Sequence, residues 1–133
     1  TMLKTPIFVY IIGEGASGGA LGIGVGNKVY MLENTWYTVI APESCSSILW
    51  RNWDHKEDAA NALKLTPQDA LREKFIDGII EEPLGGAHYD PQVAYEHLKT
   101  SILHNIKAFS SFTGKELETQ RQDKFIAMGQ FKG

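Results

Sequence analysis

The sequence predicts an α/β protein, because apolar strands alternate with segments of helical pattern along its 133 residues. Residues 6–12 carry no charge and are rich in β-branched and aromatic side chains, which predicts a buried strand. A glycine-rich segment follows at residues 13–26, and further strands and helices come after it. Together these three features indicate the α/β class.

Two more short strands are predicted at residues 28–33 and 36–41, with Asn34 and Thr35 between them. The strand at residues 6–12 has the composition of a central strand, which needs a partner on each side. Few strands remain downstream of it. We therefore expect the chain to be the C-terminal part of a larger domain.

Helices are predicted over most of the remaining sequence. Pro42 fits the first turn of a helix that runs to Trp50. Residues 51–58 are polar and are expected to form a surface loop, followed by a short helix over residues 59–65.

The next helix begins at Thr66, because a hydroxyl cap followed by Pro67 is a typical helix start. This helix is expected to end near Phe75. Residues 76–80 then predict a turn into a short strand, and residues 81–90 predict a loop rich in proline and glycine.

The C-terminal part is predicted to be helical. Apolar residues at helical spacing run from Pro91 to Phe109 and mark an amphipathic helix. A more polar helix is expected over residues 115–128. Residues 1–133 are thus interpreted as the C-terminal part of one domain, with a helical segment over roughly residues 91–133.

The composition argues against several classes of function. Thirteen Lys and Arg against sixteen Asp and Glu give a net charge of −3, which argues against a surface for nucleic acid or anionic membrane. No apolar run approaches the ~20 residues of a membrane-spanning helix. The single Cys45 excludes an internal disulfide framework and a multi-cysteine zinc site, so we expect no metal. It fits a reducing cytosol.

The glycine-rich turn, residues 13–20, is the most informative segment. It follows an apolar strand and is expected to open a helix. Backbone N–H groups at a helix start lack partners, and glycine lets a ligand approach them closely. The turn is therefore suited to hold a phosphate or an oxyanion.

Three interpretations of this turn remain open from the residues alone. In the first, Gly13, Gly15 and Gly18 match the glycine spacing of a dinucleotide-binding domain, with Glu33 as the acid for a ribose. In the second, Ser17 is the nucleophile of a serine hydrolase, although no histidine lies nearby in the sequence. In the third, the amides of the Gly18–Gly19 pair form an oxyanion hole without a nucleophile.

Three separated motifs resemble the carboxyltransferase alpha subunit of bacterial acetyl-CoA carboxylase. They are residues 11–50 (from IIGEGASGGAL to SSILW), residues 81–91 (EEPLGGAHYDP) and residues 124–129 (KFIAMG). The resemblance covers nearly the whole chain, and its motifs agree in order and spacing.

The resemblance implies a crotonase-like fold (the ClpP/crotonase type), a spiral of ββα units of which this chain would hold a partial domain followed by C-terminal helices. It implies transfer of a carboxyl group from carboxybiotin to acetyl-CoA, which gives malonyl-CoA for fatty-acid biosynthesis. The implied donors to the biotin ureido oxygen are the backbone N–H groups of Gly18 and Gly19. The alternatives are a serine hydrolase of the same superfamily, using Ser17, and a dinucleotide-binding domain.

The resemblance also implies partners and further site residues. The partners are a zinc-containing beta subunit and a biotin carboxyl carrier protein, in an alpha2-beta2 heterotetramer of the cytoplasm. Biotin is expected as the cofactor, carried on the carrier protein. Residues expected to contact substrate or biotin are Gly15, Ala16, Ser17, Trp36, Tyr37 and His88.

Overall fold

The computed structural model of the protein describes residues 2–129, which form five strands and six helices. The strands are β1 (Phe8–Ile11), β2 (Glu14–Ala16), β3 (Lys28–Leu32), β4 (Trp36–Thr38) and β5 (Gly78–Ile80). The helices are α1 (Ser17–Ile23), α2 (Pro42–Trp50), α3 (Lys56–Leu63), α4 (Pro67–Arg72), α5 (Pro91–Phe109) and α6 (Gly114–Ile126). The helical segment predicted to reach residue 133 extends beyond the described range.

The strands form two small parallel sheets, which confirms the α/β class. One sheet has the order β1-β3-β5, and the other pairs β2 with β4. In the described part of the chain, β1 pairs with β3 alone and lies at a sheet edge. A second strand beside β1, in the longer domain that the sequence predicts, stays a prediction.

The core lies between β3 and the helices that cover it. Its buried side chains are Val29, Met31, Ala70 and Ile76, and side chains of β1 and β5 pack against them. Since β3 pairs with both β1 and β5, it is the strand that holds the larger sheet together.

Helix α6 is tied to the sheet by buried polar groups. The Asn27 side chain is fully buried and accepts bonds from the N–H of Ile7 (3.0 Å) and from the Arg121 guanidinium (2.6 Å). Its amide nitrogen donates to the carbonyl of Leu117 (2.9 Å) and to Gln120 (2.6 Å). Asn27 thereby joins the chain segments before β1 and β3 to the C-terminal helix.

Helix α5 is held to the same sheet by a second polar contact. Asn105, which is buried, accepts a bond from the Tyr30 hydroxyl and donates one to the Tyr10 hydroxyl, both at 3.0 Å. The two tyrosine rings stack on each other.

Most helix boundaries agree with the sequence, and three elements differ. Helix α4 ends at Arg72 instead of near Phe75. Helix α3 begins at Lys56, so the predicted loop at residues 51–58 is shorter than expected; acidic residues in the first turn favour a helix there. Strand β4 ends at Thr38 instead of residue 41. The predicted start of α4 is confirmed, because the Thr66 hydroxyl caps it by accepting from the N–H of Asp69 (3.2 Å).

Candidate functional site

The glycine-rich turn forms a corner between strand β2 and helix α1. Ala16 is the N-cap residue and makes no side-chain capping bond. Ser17 is the first residue of the helix, so its side chain does not act as the N-cap. Strand β2 was not predicted, because its three residues carry no β-branched or apolar run and form a strand only by pairing with β4.

Ser17 has an unusual backbone conformation, with a positive φ of 59°. Non-glycine residues rarely adopt this region, and such strain is found where the surrounding structure requires it. The conformation turns the chain from β2 into α1 within one residue. Ala16 keeps an ordinary extended conformation.

The backbone N–H groups of Gly18 and Gly19 lie in the first turn of α1. Both residues are exposed, and among the described residues no carbonyl outside α1 accepts a bond from either amide. A helix leaves its first N–H groups without intrahelical partners, so these amides can donate to a ligand.

The space above the two glycines is open. A Cβ atom added at Gly18 or Gly19 would meet no atom within 4 Å, and neither residue has a positive φ. The chain's own packing thus does not require glycine at these positions, although glycine costs a helix about 1 kcal/mol relative to alanine. The absence of side chains there fits the close approach of another molecule to the backbone.

Strand pairing brings four of the predicted site residues together. In the register of β2 and β4, Gly15 lies opposite Tyr37, and Ala16 lies opposite Thr38. Trp36, half-buried, is the neighbour of Tyr37 and donates its N–H to the carbonyl of Gly13 (3.4 Å). Gly15, Ala16, Trp36 and Tyr37 therefore surround the start of α1.

A groove of about 410 Å³ runs beside this corner, between β1, β2 and α1. Gly15, Ala16 and Tyr37 line it. Tyr37 also lines a more apolar cavity of about 350 Å³ between α1 and α4, together with side chains such as Leu21 and Phe75. Burial raises the pKa of the Tyr37 phenol.

His88 belongs to a different part of the molecule. It is exposed in the loop between β5 and α5, where Gly85 and Gly86 both have a φ of 92°. The Glu82 carboxylate fixes this loop by accepting from the N–H groups of Ala87 (2.9 Å) and Asn34 (2.6 Å). No hydrogen bond among the described residues joins His88 to β2, α1 or β4.

The chemistry available at the corner is backbone donation. None of the four histidines forms a hydrogen bond with Ser17 among residues 2–129; His55 contacts Asp58 at 2.9 Å, and His97 contacts the carbonyl of Glu81 at 2.8 Å. In the same range no group of three or more His, Cys, Asp or Glu side chains is arranged to hold a metal ion. No helix within it has the length and apolar character needed to cross a membrane.

The fold is of the crotonase-like type. The structure superimposes on the solved structure titled transcarboxylase 12S, which contains methylmalonyl-coenzyme A and methylmalonic acid, with a TM-score of 0.63. The match covers 81% of this chain and 20% of that chain at 17% identity, so it concerns the fold alone. The crotonase-like fold implied by the sequence is confirmed.

The family follows from the sequence comparisons. Residues 1–129 match the family described as acetyl co-enzyme A carboxylase carboxyltransferase-like, and the chain belongs to that family. It is 57% identical, over 129 residues, to the acetyl-coenzyme A carboxylase carboxyl transferase subunit alpha of Flavobacterium psychrophilum; the match covers 97% of this chain and 41% of that protein. The subunit alpha of Chlorobium luteolum is 55% identical over 127 residues, with 96% and 38% covered. The chain thus spans about two fifths of the length of these relatives.

Proposed function

We propose that this chain is part of a carboxyltransferase alpha subunit that transfers a carboxyl group from carboxybiotin to acetyl-CoA, giving malonyl-CoA for fatty-acid biosynthesis. Membership of the family and the names of its relatives support this function. The observation that carries the assignment of the site is the pair of exposed first-turn amides at Gly18 and Gly19, beneath open space.

In this proposal the two amides donate hydrogen bonds to an oxygen whose negative charge rises during the reaction. Carboxybiotin supplies the carboxyl group, and its ureido oxygen is the atom on which that charge builds. Donors that are already fixed in place stabilise such charge without reorganisation. The α1 corner offers backbone donors and no side chain in the role of acid or base, which fits chemistry in which the protein supplies orientation and donors.

The neighbouring residues are assigned supporting contacts. Gly15, Ala16 and Ser17 form the backbone directly before the donors, and Trp36 and Tyr37 are the aromatic residues beside them. His88, in the loop between β5 and α5, is proposed to contact substrate or a partner.

The proposed complex contains a zinc-bearing beta subunit and a biotin carboxyl carrier protein, assembled as an alpha2-beta2 heterotetramer in the cytoplasm. Several large apolar side chains of the described residues are open to solvent, which fits coverage by other parts of such an assembly. Examples are Ile12 (70% exposed), Ile48 (70%) and Leu84 (97%).

The test replaces Gly18 in the full-length alpha subunit, reconstituted with its beta partner. Gly18→Pro removes one N–H. Gly18→Ala is the matched control, because it keeps the N–H and adds a methyl group. We expect Gly18→Pro to lower the kcat of carboxyl transfer by about 10²–10³-fold, as for the loss of other oxyanion donors.

The two variants separate the donor from the shape of the site. If Gly18→Pro folds, by circular dichroism, and keeps the wild-type kcat, then this amide is not a donor. If Gly18→Ala loses as much activity as Gly18→Pro, the open space above the residue matters and the N–H does not.

A further inference from the structure

We propose that Tyr37 is a positioning residue: it fixes helix α1 from beneath and thereby sets where the Gly18 and Gly19 amides point. This inference rests on the proposed function, because it gives Tyr37 its role through those donors. The contacts that carry it lie at the two ends of α1 and within β4.

Helix α1 has little stability of its own. It contains seven residues, of which none is buried. Gly18, Gly19 and Gly22 lie within it, and its N-cap makes no side-chain bond. Isolated helices shorter than about 12 residues are marginal in water even with good helix formers. The orientation of α1 must therefore come from tertiary contacts.

The Tyr37 ring occupies the place of a side chain at both ends of α1. A Cβ atom at Gly15, two residues before the helix, would lie 3.0 Å from Cδ2 of Tyr37. A Cβ atom at Gly24, the C-cap, would lie 2.5 Å from the Tyr37 hydroxyl. The positions within the helix differ, since a Cβ at Gly22 would meet nothing within 4 Å. A side chain at Gly15 or Gly24 would thus press on Tyr37, so the Tyr37 side chain contacts the chain on both sides of α1.

Tyr37 is itself held firmly. Tyr37 pairs with Gly15 in the β2–β4 register, and its backbone N–H donates to the carbonyl of Leu65 (3.1 Å). Its hydroxyl donates to the carbonyl of Ala20, in the middle of α1, over a long 3.4 Å. Because burial raises the pKa of the phenol, the hydroxyl stays protonated and remains a donor at neutral pH.

A shift of α1 would move both amides together without removing either N–H group. Misplacement of about 1 Å at a reacting group costs as much as 10²-fold in rate. Donors that act on charge formed only in the transition state affect kcat. In this proposal acetyl-CoA binds elsewhere, so its KM should not change when the donors move. A positioning role for Tyr37 therefore predicts a loss of kcat at constant KM for acetyl-CoA.

The test is a pair of double-mutant cycles in the full-length alpha–beta complex. Gly24→Ala should lower kcat about tenfold or more, because its methyl group meets the Tyr37 hydroxyl. Tyr37→Phe removes that oxygen and leaves ring atom Cζ at 3.5 Å, an ordinary contact, so Gly24→Ala/Tyr37→Phe should recover most of the loss. The 3.0 Å approach to the Ala20 carbonyl persists in the double variant and keeps the rescue incomplete.

Gly15→Ala provides the matched negative cycle. Its methyl group meets Cδ2, which phenylalanine retains, so Tyr37→Phe should not rescue it. Tyr30→Phe is the control for a lost tyrosine hydroxyl, since that hydroxyl donates to Asn105 on α5, and its kcat should match the wild type. Hydrogen exchange of the α1 amides is measured for every variant, and Gly24→Ala should speed that exchange while Gly24→Ala/Tyr37→Phe slows it again.

Rescue of Gly24→Ala without rescue of Gly15→Ala, in both kcat and exchange, supports the proposal. Equal behaviour of the two cycles, or a harmless Gly24→Ala, overturns it. Altered α1 exchange with unchanged kcat also overturns it, because the helix would then move without consequence for the reaction. Failure of the donor assignment itself is recognised separately, by an unchanged kcat in Gly18→Pro.

Discussion

Replacement of Asn27 by alanine should lower the free energy of unfolding by about 3–5 kcal/mol, an unusually large effect for a single polar residue. Asn27 is fully buried and is the point at which α6 joins the sheet. The change deletes no large apolar group, so the effect must come from its hydrogen bonds.

The magnitude follows from the four bonds that the side chain makes. Three of them are neutral: from the N–H of Ile7, to the carbonyl of Leu117 and to Gln120. Such bonds contribute about 0.5–1.5 kcal/mol each. The fourth comes from the Arg121 guanidinium, and a bond with a charged group contributes about 1.5–3 kcal/mol. Only the upper end of this sum, about 7.5 kcal/mol, lies above the expected loss, because water and local relaxation recover part of it.

Urea denaturation measures the effect, with Asn105→Ala as the matched control. Asn105 is also buried, but its side chain makes two hydrogen bonds within the described residues, both with tyrosine hydroxyls. We expect that control to cost about 1–2 kcal/mol. Hydrogen exchange should also show faster opening of α6 than of β3 in Asn27→Ala. If Asn27→Ala lowers the free energy of unfolding no more than Asn105→Ala does, the hydrogen bonds of Asn27 do not stabilise α6 to the extent inferred.

Two other predictions concern the polar contacts of the described residues. Burial of the Asp77 carboxyl raises its pKa, but bonds from Lys124, the N–H of Val29 and Lys28 outweigh this and hold the pKa below its ordinary value. The stabilising effect of Asp77 should therefore be present above a pH of about 4, the pKa of the carboxyl in the unfolded chain. It should be lost as the pH falls through the lowered pKa of the folded state. Asp77→Asn should remove that part of the pH dependence, and an unchanged acid-unfolding curve would contradict this. Thr113→Ala breaks the capping box of α6 with Glu116 and should cost about 0.5–2 kcal/mol by urea denaturation, whereas an unchanged midpoint would show that the cap is dispensable.

The elements that the sequence predicted well are those with local physical signals. Thr66 before Pro67 marks the start of α4, because a hydroxyl oxygen satisfies a free N–H of the first turn. The apolar, β-branched composition of residues 6–12 and 28–33 is enough for β1 and β3.

The errors occurred where neighbours in space decide the structure. Strand β2 has no strand composition and exists because its backbone pairs with β4. The positive φ of Ser17 depends on the turn from β2 into α1, which the residue type does not encode.

The sequence by itself determined the α/β class, the family and the candidate donors Gly18 and Gly19, because motif order and local helix-start chemistry are properties of the chain alone. Only the tertiary structure decided that these glycines have open space above them, whereas the space for a side chain at Gly15 and Gly24 is occupied by Tyr37. The same residue type thus serves two purposes in one segment. Whether a glycine leaves room for a ligand or for Tyr37 depends on the atoms that folding brings near it. The Tyr37 atoms lie more than ten residues away along the chain from both Gly15 and Gly24.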